Sequence, residues 1–394
     1  MRPLWQFHVI EGLQGGGFAI YTKMHHAGLD GGAGMVALET MFSASPESPP
    51  VDPPAKRPAQ RAPDPFEMLG NVYKEFWQQQ ARMFETWFDR SKVANSGRSP
   101  FGGALRPPEQ PSLAPKTPFN VALSNDRSIG ISSVSLSEVK TLSKAQNAKL
   151  NDVVLAICAG ALRRYLGHRG MLPKEPLIAG VPVSLRKPGD VSMNNQLTMM
   201  LCSLATDVAD PIFRLAAIVK SSKDGKERLG DVDETPQDVV IFGAPLVLTA
   251  LAQWASRTKA ADHLPAASNV VISNMLGPRK ALYCAGSMLL NSFPISLATN
   301  GNALNMTVQS YMDNLDFGLI ACRTAVPDVQ ALADLVVEEF EVLKRAAAAA
   351  HPDDVAIIDV SVAKQTPDAG GKRRSKAKSG GRSSTRKSAA TRAT

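Results

Sequence analysis

The chain has 394 residues, 44% of them hydrophobic, a length that suits two or three domains with real cores. No apolar run reaches the roughly 18–20 residues that cross a bilayer, and no charged-then-apolar leader follows Met1, so the sequence argues against a helical span and a secretory signal. The net charge of +8 is concentrated at one end: from Lys364 onward the chain carries +9, which leaves the body at −1.

In chain order, the first pattern is an alternation. Phe18, Ile20, Thr22 and Met24 interleave with Ala19, Tyr21, Lys23 and His25, which predicts a strand. It leads into Met24-His25-His26-Ala27-Gly28-Leu29-Asp30-Gly31. Asp30-Gly31-Gly32 is a turn signal, and residues 34–42 read as a helix after it. If the pleat continues through the pair, His25 and His26 face opposite sides, and one imidazole serves a given site. Histidine takes up and returns a proton near neutrality, so the pair is a candidate acid–base centre; the structural alternative is a satisfied histidine in a strand. Gly15-Gly16-Gly17 lacks the lysine of a phosphate loop, and no GxSxG elbow is present.

Residues 43–65 form a linker rich in proline and serine. After Asp64-Pro65, the apolar residues Phe66, Leu69, Tyr73, Phe76, Trp77, Phe84, Trp87 and Phe88 make a helical stripe. The stripe suits a core face; beside Lys74, Arg82 and Arg90 it also suits a helix lying in a lipid interface. Residues 95–118 read as a second linker. Ser137 is the expected cap of a helix running to Gln146. Asn151 stands where the next helix begins, with Val154, Ile157, Cys158, Ala161 and Tyr165 on one face and Gly167 closing it. Residues 176–185 and 196–205 read as strands, and Asp210-Pro211 starts a helix. The apolar run 239–252 holds Gly243 and Pro245 and reads as a buried or interfacial helix pair. Residues 269–273 read as a short strand, and 303–311 with 315–323 as a hairpin. Pro327 opens a last helix that ends in the alanine run after Arg345. Strands mixed with helices predict layered α/β or α+β domains. Cys158, Cys202, Cys284 and Cys322 are far apart and read as reduced, buried thiols of a cytoplasmic protein, without metal-ligand spacing.

The tail beyond residue 350 is basic, has no aromatic residues and cannot bury a core. It suits an anionic membrane surface, non-specific nucleic-acid contact, or simple solvation. Nothing in the body resembles a groove-reading module, which argues against specific nucleic-acid binding.

The spacing HHxxxDG resembles that of the CoA-dependent acyltransferase superfamily. Further blocks narrow the resemblance. Pro3-Leu4-Trp5, Asn151-Asp152 with its following apolar run, Pro182-Val183-Ser184-Leu185-Arg186 and Val271-Ile272-Ser273-Asn274-Met275-Leu276-Gly277-Pro278 are similar, in order, to the PLW, ND and later blocks of the bacterial wax ester synthase/diacylglycerol acyltransferase family. The resemblance implies two domains, each a mixed sheet flanked by helices, with a tunnel between them. The expected division is 1–118 for a first domain with the histidine motif and crossover, 119–350 for the second, and 351–394 for the tail. Family members carry a further segment before PLW, so the resemblance implies an incomplete first domain.

The same resemblance implies an O-acyltransferase that esterifies diacylglycerol or a long-chain alcohol. Acyl-CoA would be its co-substrate, with no prosthetic group. His26 would be the base and His25 the support of the strand from its other face. Asp30 would pair with an arginine, for which Arg186 is a candidate, and Gly31 would permit the turn. Asn151 would hold substrate or oxyanion, or else act as a plain helix cap. Asp152 would steady that helix start. Ser273 and Asn274 would line the tunnel, and Pro3, Leu4 and Trp5 would pack near the acyl channel. The expected location is the cytoplasm, at a membrane or lipid-droplet surface. The rival expectation is a catalytically impaired relative that binds a lipid or a partner.

Overall fold

The computed structural model describes residues 5–25, 34, 38, 40–47, 64, 114–184, 197–230, 253, 254 and 256–350. By internal packing the chain divides into Met1–His351 and Pro352–Thr394, and every described residue lies in the first unit. The expected 66–88 helix, the 239–252 run and the basic tail lie outside the described residues.

Strands β1 (Trp5–Ile10) and β2 (Ala19–Met24) form an antiparallel ribbon, with Trp5 opposite Met24 and Ile10 opposite Ala19. The connection needs glycine. Gly12, Gly15 and Gly16 adopt φ of 77°, 90° and 79°, a region that side chains bearing a Cβ rarely enter. Trp5, Phe7 and Val9 share one face of β1 and are 63%, 42% and 63% exposed. The expected strand before the histidines is β2, and β1 is an addition to the sequence reading.

Among the described residues, the main sheet has six strands: β3 (Arg127–Ser135), β4 (Ile178–Ser184), β5 (Leu197–Ser203), β6 (Val270–Met275), β9 (Leu304–Tyr311) and β10 (Asn314–Cys322). Their spatial order is β3-β10-β9-β6-β4-β5. β4, β6 and β9 are mutually parallel, and the other pairings are antiparallel. A small ribbon, β7 (Tyr283–Cys284) with β8 (Ser287–Met288), lies in the connection from β6 to β9.

Among the described residues, four helices supply the rest of the core: α1 (Leu136–Ala145), α2 (Leu150–Gly167), α3 (Pro211–Gly230) and α4 (Val329–Ala349). Leu304, Met306 and Val308 of β9 and Leu315, Phe317 and Leu319 of β10 join the helices in one hydrophobic cluster. Side chains of this size contribute about 1.5–3 kcal/mol each when fully buried. The expected face of α2 is buried, but so are its other sides, because the helix lies against α1, α3 and α4. On the opposite face of the sheet, the buried Asp316 carboxylate accepts from Ser133 Oγ (2.7 Å), Asn291 Nδ2 (2.8 Å) and the Ser292 amide (2.7 Å). The segment carrying Asn291 and Ser292 passes so close that a Cβ on Gly318 would overlap the Pro294 carbonyl.

An ionic cluster, buried at Glu339 and Arg214 and open to solvent at Arg164 and Glu338, joins three helices. Glu339 of α4 meets Arg214 of α3 at 3.3 Å and Arg164 of α2 at 3.2 Å, and Arg164 also meets Glu338 at 2.8 Å. Burial lowers the Arg214 pKa, while the Glu339 carboxylate opposes that shift.

Two expectations are corrected, and one further strand is added to the sequence reading. Ser135, not Ser137, caps α1: its Oγ accepts from the Glu138 amide at 3.3 Å. Asp313, in the β9–β10 turn, accepts from the Ser137 amide (3.0 Å) and Ser137 Oγ (3.0 Å), so the helix starts earlier than a lone serine cap would put it. The four cysteines are free, but Cys284 is only half-buried, since its short ribbon lies outside the core. Strand β3 was not expected at all. The strands expected at 176–185, 196–205 and 269–273 and the late hairpin are present as β4, β5, β6 and β9–β10, and Asp210 Oδ1 caps α3 by accepting from the Ile212 (2.8 Å) and Phe213 (3.0 Å) amides.

Candidate active site

The start of α2 is built by its own residues. Lys149 holds the N-cap position, and its amide donates to Asp152 Oδ2 at 3.1 Å. Asp152 is 3% exposed and sits in the first turn, where a carboxylate also favours the positive end of the helix dipole. Asn151 therefore lies inside the helix, one residue past its first. The plain-cap reading of Asn151 does not hold, and its amide is available for other work.

Strand β6 supplies the partner. Asn274 Nδ2 donates to Asn151 Oδ1 at 3.4 Å, and both side chains are half-buried. Asn274 follows Val270 and Ile272 on the helix-facing side of the strand. Ser273 lies opposite Thr307 of β9 and points to the other face. Since α2 precedes β4, which is parallel to β6, the start of α2 and the carboxyl ends of both strands share one edge. Ligands in open α/β sheets gather at such an edge.

Strand β2 ends at Met24, so His25 follows the strand directly and is exposed. Trp5 lies across the ribbon from Met24, beside Phe7 at 5.4 Å between ring centroids. Downstream of the motif, Gly34, Leu38, Thr40 and Met41 have helical backbone, as expected for 34–42, and the Phe42 amide donates to the Leu38 carbonyl at 3.1 Å. The chain is then tied to β7: the Ser43 amide donates to Tyr283 O (2.9 Å) and the Tyr283 amide to Ser43 O (2.8 Å). That anchor was missed by sequence reasoning, since neither residue carries a signal and they lie 240 positions apart. His26, Asp30, Gly31, Pro3, Leu4 and Arg186 lie outside the described residues. The structure thus brings Asn151, Asp152 and Asn274 together at one edge of the main sheet, and places Trp5 and His25 at one end of the ribbon.

Burial disfavours the thiolate form of both cysteines near α2. Burial pushes Cys158 up to about 12. Burial also raises Cys202, a hydrogen bond with Ser221 opposes this, and the Asp152 carboxylate adds to the rise. Among the described residues, no three His, Cys, Asp or Glu side chains converge as metal ligands, and no helix is long and apolar enough to cross a membrane.

Two family models match the chain: the wax ester synthase/diacylglycerol acyltransferase catalytic domain over residues 1–154 and the WS/DGAT C-terminal domain over 193–344. A Mycobacterium tuberculosis protein named as a diacylglycerol O-acyltransferase is 37% identical over 359 residues, covering 88% of this chain and 75% of its own. The O-acyltransferase WSD of Acinetobacter baylyi is 35% identical over 352 residues, covering 87% and 74%. The solved wax ester synthase/diacylglycerol acyltransferase of Marinobacter aquaeolei superposes with a TM-score of 0.60 at 29% identity, over 88% of this chain and 72% of that one. A mixed sheet with this motif order and these relatives defines an acyltransferase. The chain belongs to the wax ester synthase/diacylglycerol acyltransferase family.

Proposed function

We propose that this chain transfers an acyl group from acyl-CoA to the hydroxyl of an apolar acceptor, diacylglycerol or a long-chain alcohol. The observation that carries the reading is the 37% identity to a protein named as a diacylglycerol O-acyltransferase, spread over 88% of the chain with all the motif blocks in order. His26 takes the proton as the acceptor oxygen attacks the thioester carbonyl. The carbonyl oxygen becomes an oxyanion and needs fixed donors. When the tetrahedral centre collapses, the C–S bond breaks and the imidazolium returns the proton to the leaving CoA thiolate. Asp30 and Gly31 shape the loop after the base, with Arg186 as the partner of Asp30. Ser273 lines the tunnel, and Pro3 and Leu4 lie near the acyl channel; Trp5, expected to pack there, is 63% exposed and offers its ring to an apolar ligand instead. Domain limits of 1–118 and 119–350 fit this division of labour. Acyl-CoA is a diffusible co-substrate, and the chemistry requires no prosthetic group.

The test is an acceptor panel of diacylglycerol, hexadecanol and small alcohols with labelled acyl-CoA. Ester from an apolar acceptor, matched mole for mole by free CoA thiol, is the expected result; free fatty acid alone would overturn the reading. The exposed apolar face of β1 favours a second reading, a lipid- or partner-binding relative without turnover. That reading expects acyl-CoA or lipid binding with no ester in the same panel.

Peripheral attachment to a membrane or lipid droplet is the location this function needs, because the acceptors and products reside there. The basic tail supplies an electrostatic contribution of about 1 kcal/mol per charge close to an anionic surface. Removing residues 351–394 is expected to release the protein from anionic vesicles in a flotation assay at low salt and to leave turnover on dispersed short-chain acceptors unchanged. Equal flotation of both forms would assign attachment to another surface.

A further inference from the structure

The pairing of Asn274 with Asn151 has a directional consequence. A side-chain amide carries one acceptor, its oxygen, and two donor hydrogens on nitrogen. With Asn151 Oδ1 occupied by Asn274 Nδ2, the Asn151 Nδ2 group must face away from β6. Among the described residues, nothing accepts from Asn151 Nδ2. The Lys149–Asp152 hydrogen bond holds the first turn of α2, so the backbone that carries Asn151 is fixed as well. The Asn151 Nδ2 donor therefore stands at the positive end of α2, on the edge where β4 and β6 terminate.

We infer that Asn274 is a positioning residue for the acyl transfer: by holding Asn151 Oδ1, it turns Asn151 Nδ2 outward as a donor to the oxyanion of the reacting thioester. The inference rests on the acyl-transfer reading above. Asn274 itself does not touch the reacting atoms. A free asparagine would sample both amide orientations, and half of them would aim a carbonyl oxygen at developing negative charge. The strand residue removes that half before substrate arrives, which is the preorganisation that makes such donors effective.

Isosteric variants separate this role from a structural tie. N151D keeps the clasp, because a carboxylate still accepts from Asn274, but it removes the outward donor. Its kcat is expected to fall by about a hundredfold or more, with KM for acyl-CoA near that of the unaltered enzyme. N274D leaves an acceptor on β6, so the Asn151 amide must invert to meet it, and the oxygen then faces the site. Its kcat is expected to fall by about tenfold or more. N274A frees Asn151 to rotate, so its loss should be smaller than that of N274D. A mere helix–strand tie gives the reverse order, since N274D preserves a hydrogen bond that N274A abolishes. That reverse order, or unchanged kcat in N274D, would overturn the inference. The unaltered enzyme in the same assay reports separately on the acyl-transfer reading, since absence of ester there removes that reading. The clasp is also tested without turnover. N151D/N274D sets two carboxylates face to face, so its Tm should drop by more than the two single shifts together, and additive shifts would show that the pair does not interact.

Discussion

Replacing His26 with alanine is expected to abolish ester formation to within the background of the assay, a loss of about a hundredfold to ten thousandfold. The size follows from what the imidazole does in the proposed reaction. An alcohol is a poor nucleophile until its proton is leaving, and a neutral imidazole within hydrogen-bond reach takes that proton. Strand β2 ends at Met24, and the histidine pair follows at once, so the backbone that presents the motif is paired with β1 up to its last residue. His25 stands first after the strand, and its replacement by alanine is expected to cost less turnover and more thermal stability than that of His26. Measuring labelled ester and Tm on both variants separates the two roles. Equal turnover losses with equal drops in Tm would mean that the pair acts as a structural unit, and would remove His26 as the base.

Much of the second half of the chain was legible from pattern alone. Strands β4, β5, β6, β9 and β10 announce themselves because their helix-facing residues are apolar and their ends carry turn signals. Strand β3 was not, and its residues explain why. On Arg127–Ser135, the residues facing α4 are Ser128, Gly130 and Ser132, while Ile129 and Ile131 point outward and are 44% and 41% exposed. The usual signal is inverted because α4 approaches closely: a Cβ on Gly130 would meet the Val329 carbonyl. Close approach selects small residues, and small residues do not read as a core face. The cap of α1 was misplaced for a related reason. Ser135 and Ser137 are equivalent as sequence, and the choice between them is made by Asp313, far away in the chain. At the site, Asn151, Asp152 and Asn274 were each visible in a motif block, but the hydrogen bond between the two asparagines joins positions 123 apart and leaves no local trace.

Replacing Glu339 with leucine is expected to destabilise the fold by about 3–5 kcal/mol, a large share of the roughly 5–15 kcal/mol that holds a typical domain together. Glu339 is 5% exposed and lies against Gly160 of α2 so closely that a Cβ there would overlap its carboxylate. Its charge is matched by two guanidinium groups of unequal exposure: the Arg214 side chain is 5% exposed and that of Arg164 34%. Without the carboxylate, Arg164 can turn to water and keep Glu338. Arg214 cannot, because its guanidinium is held under the Val208 and Ala209 carbonyls, at 3.1 Å from each. The penalty is thus the uncompensated charge of Arg214 rather than the loss of an attractive pair. The companion variant distinguishes the two. R214M/E339L removes both buried charges, fills the space with apolar groups and should recover much of the lost stability, while R214M alone should leave Glu339 still paired with Arg164 and cost less than E339L. Urea unfolding followed by circular dichroism gives the midpoints. A double variant less stable than E339L would show that the ion pair itself, not its orphaned half, ties α2, α3 and α4 together.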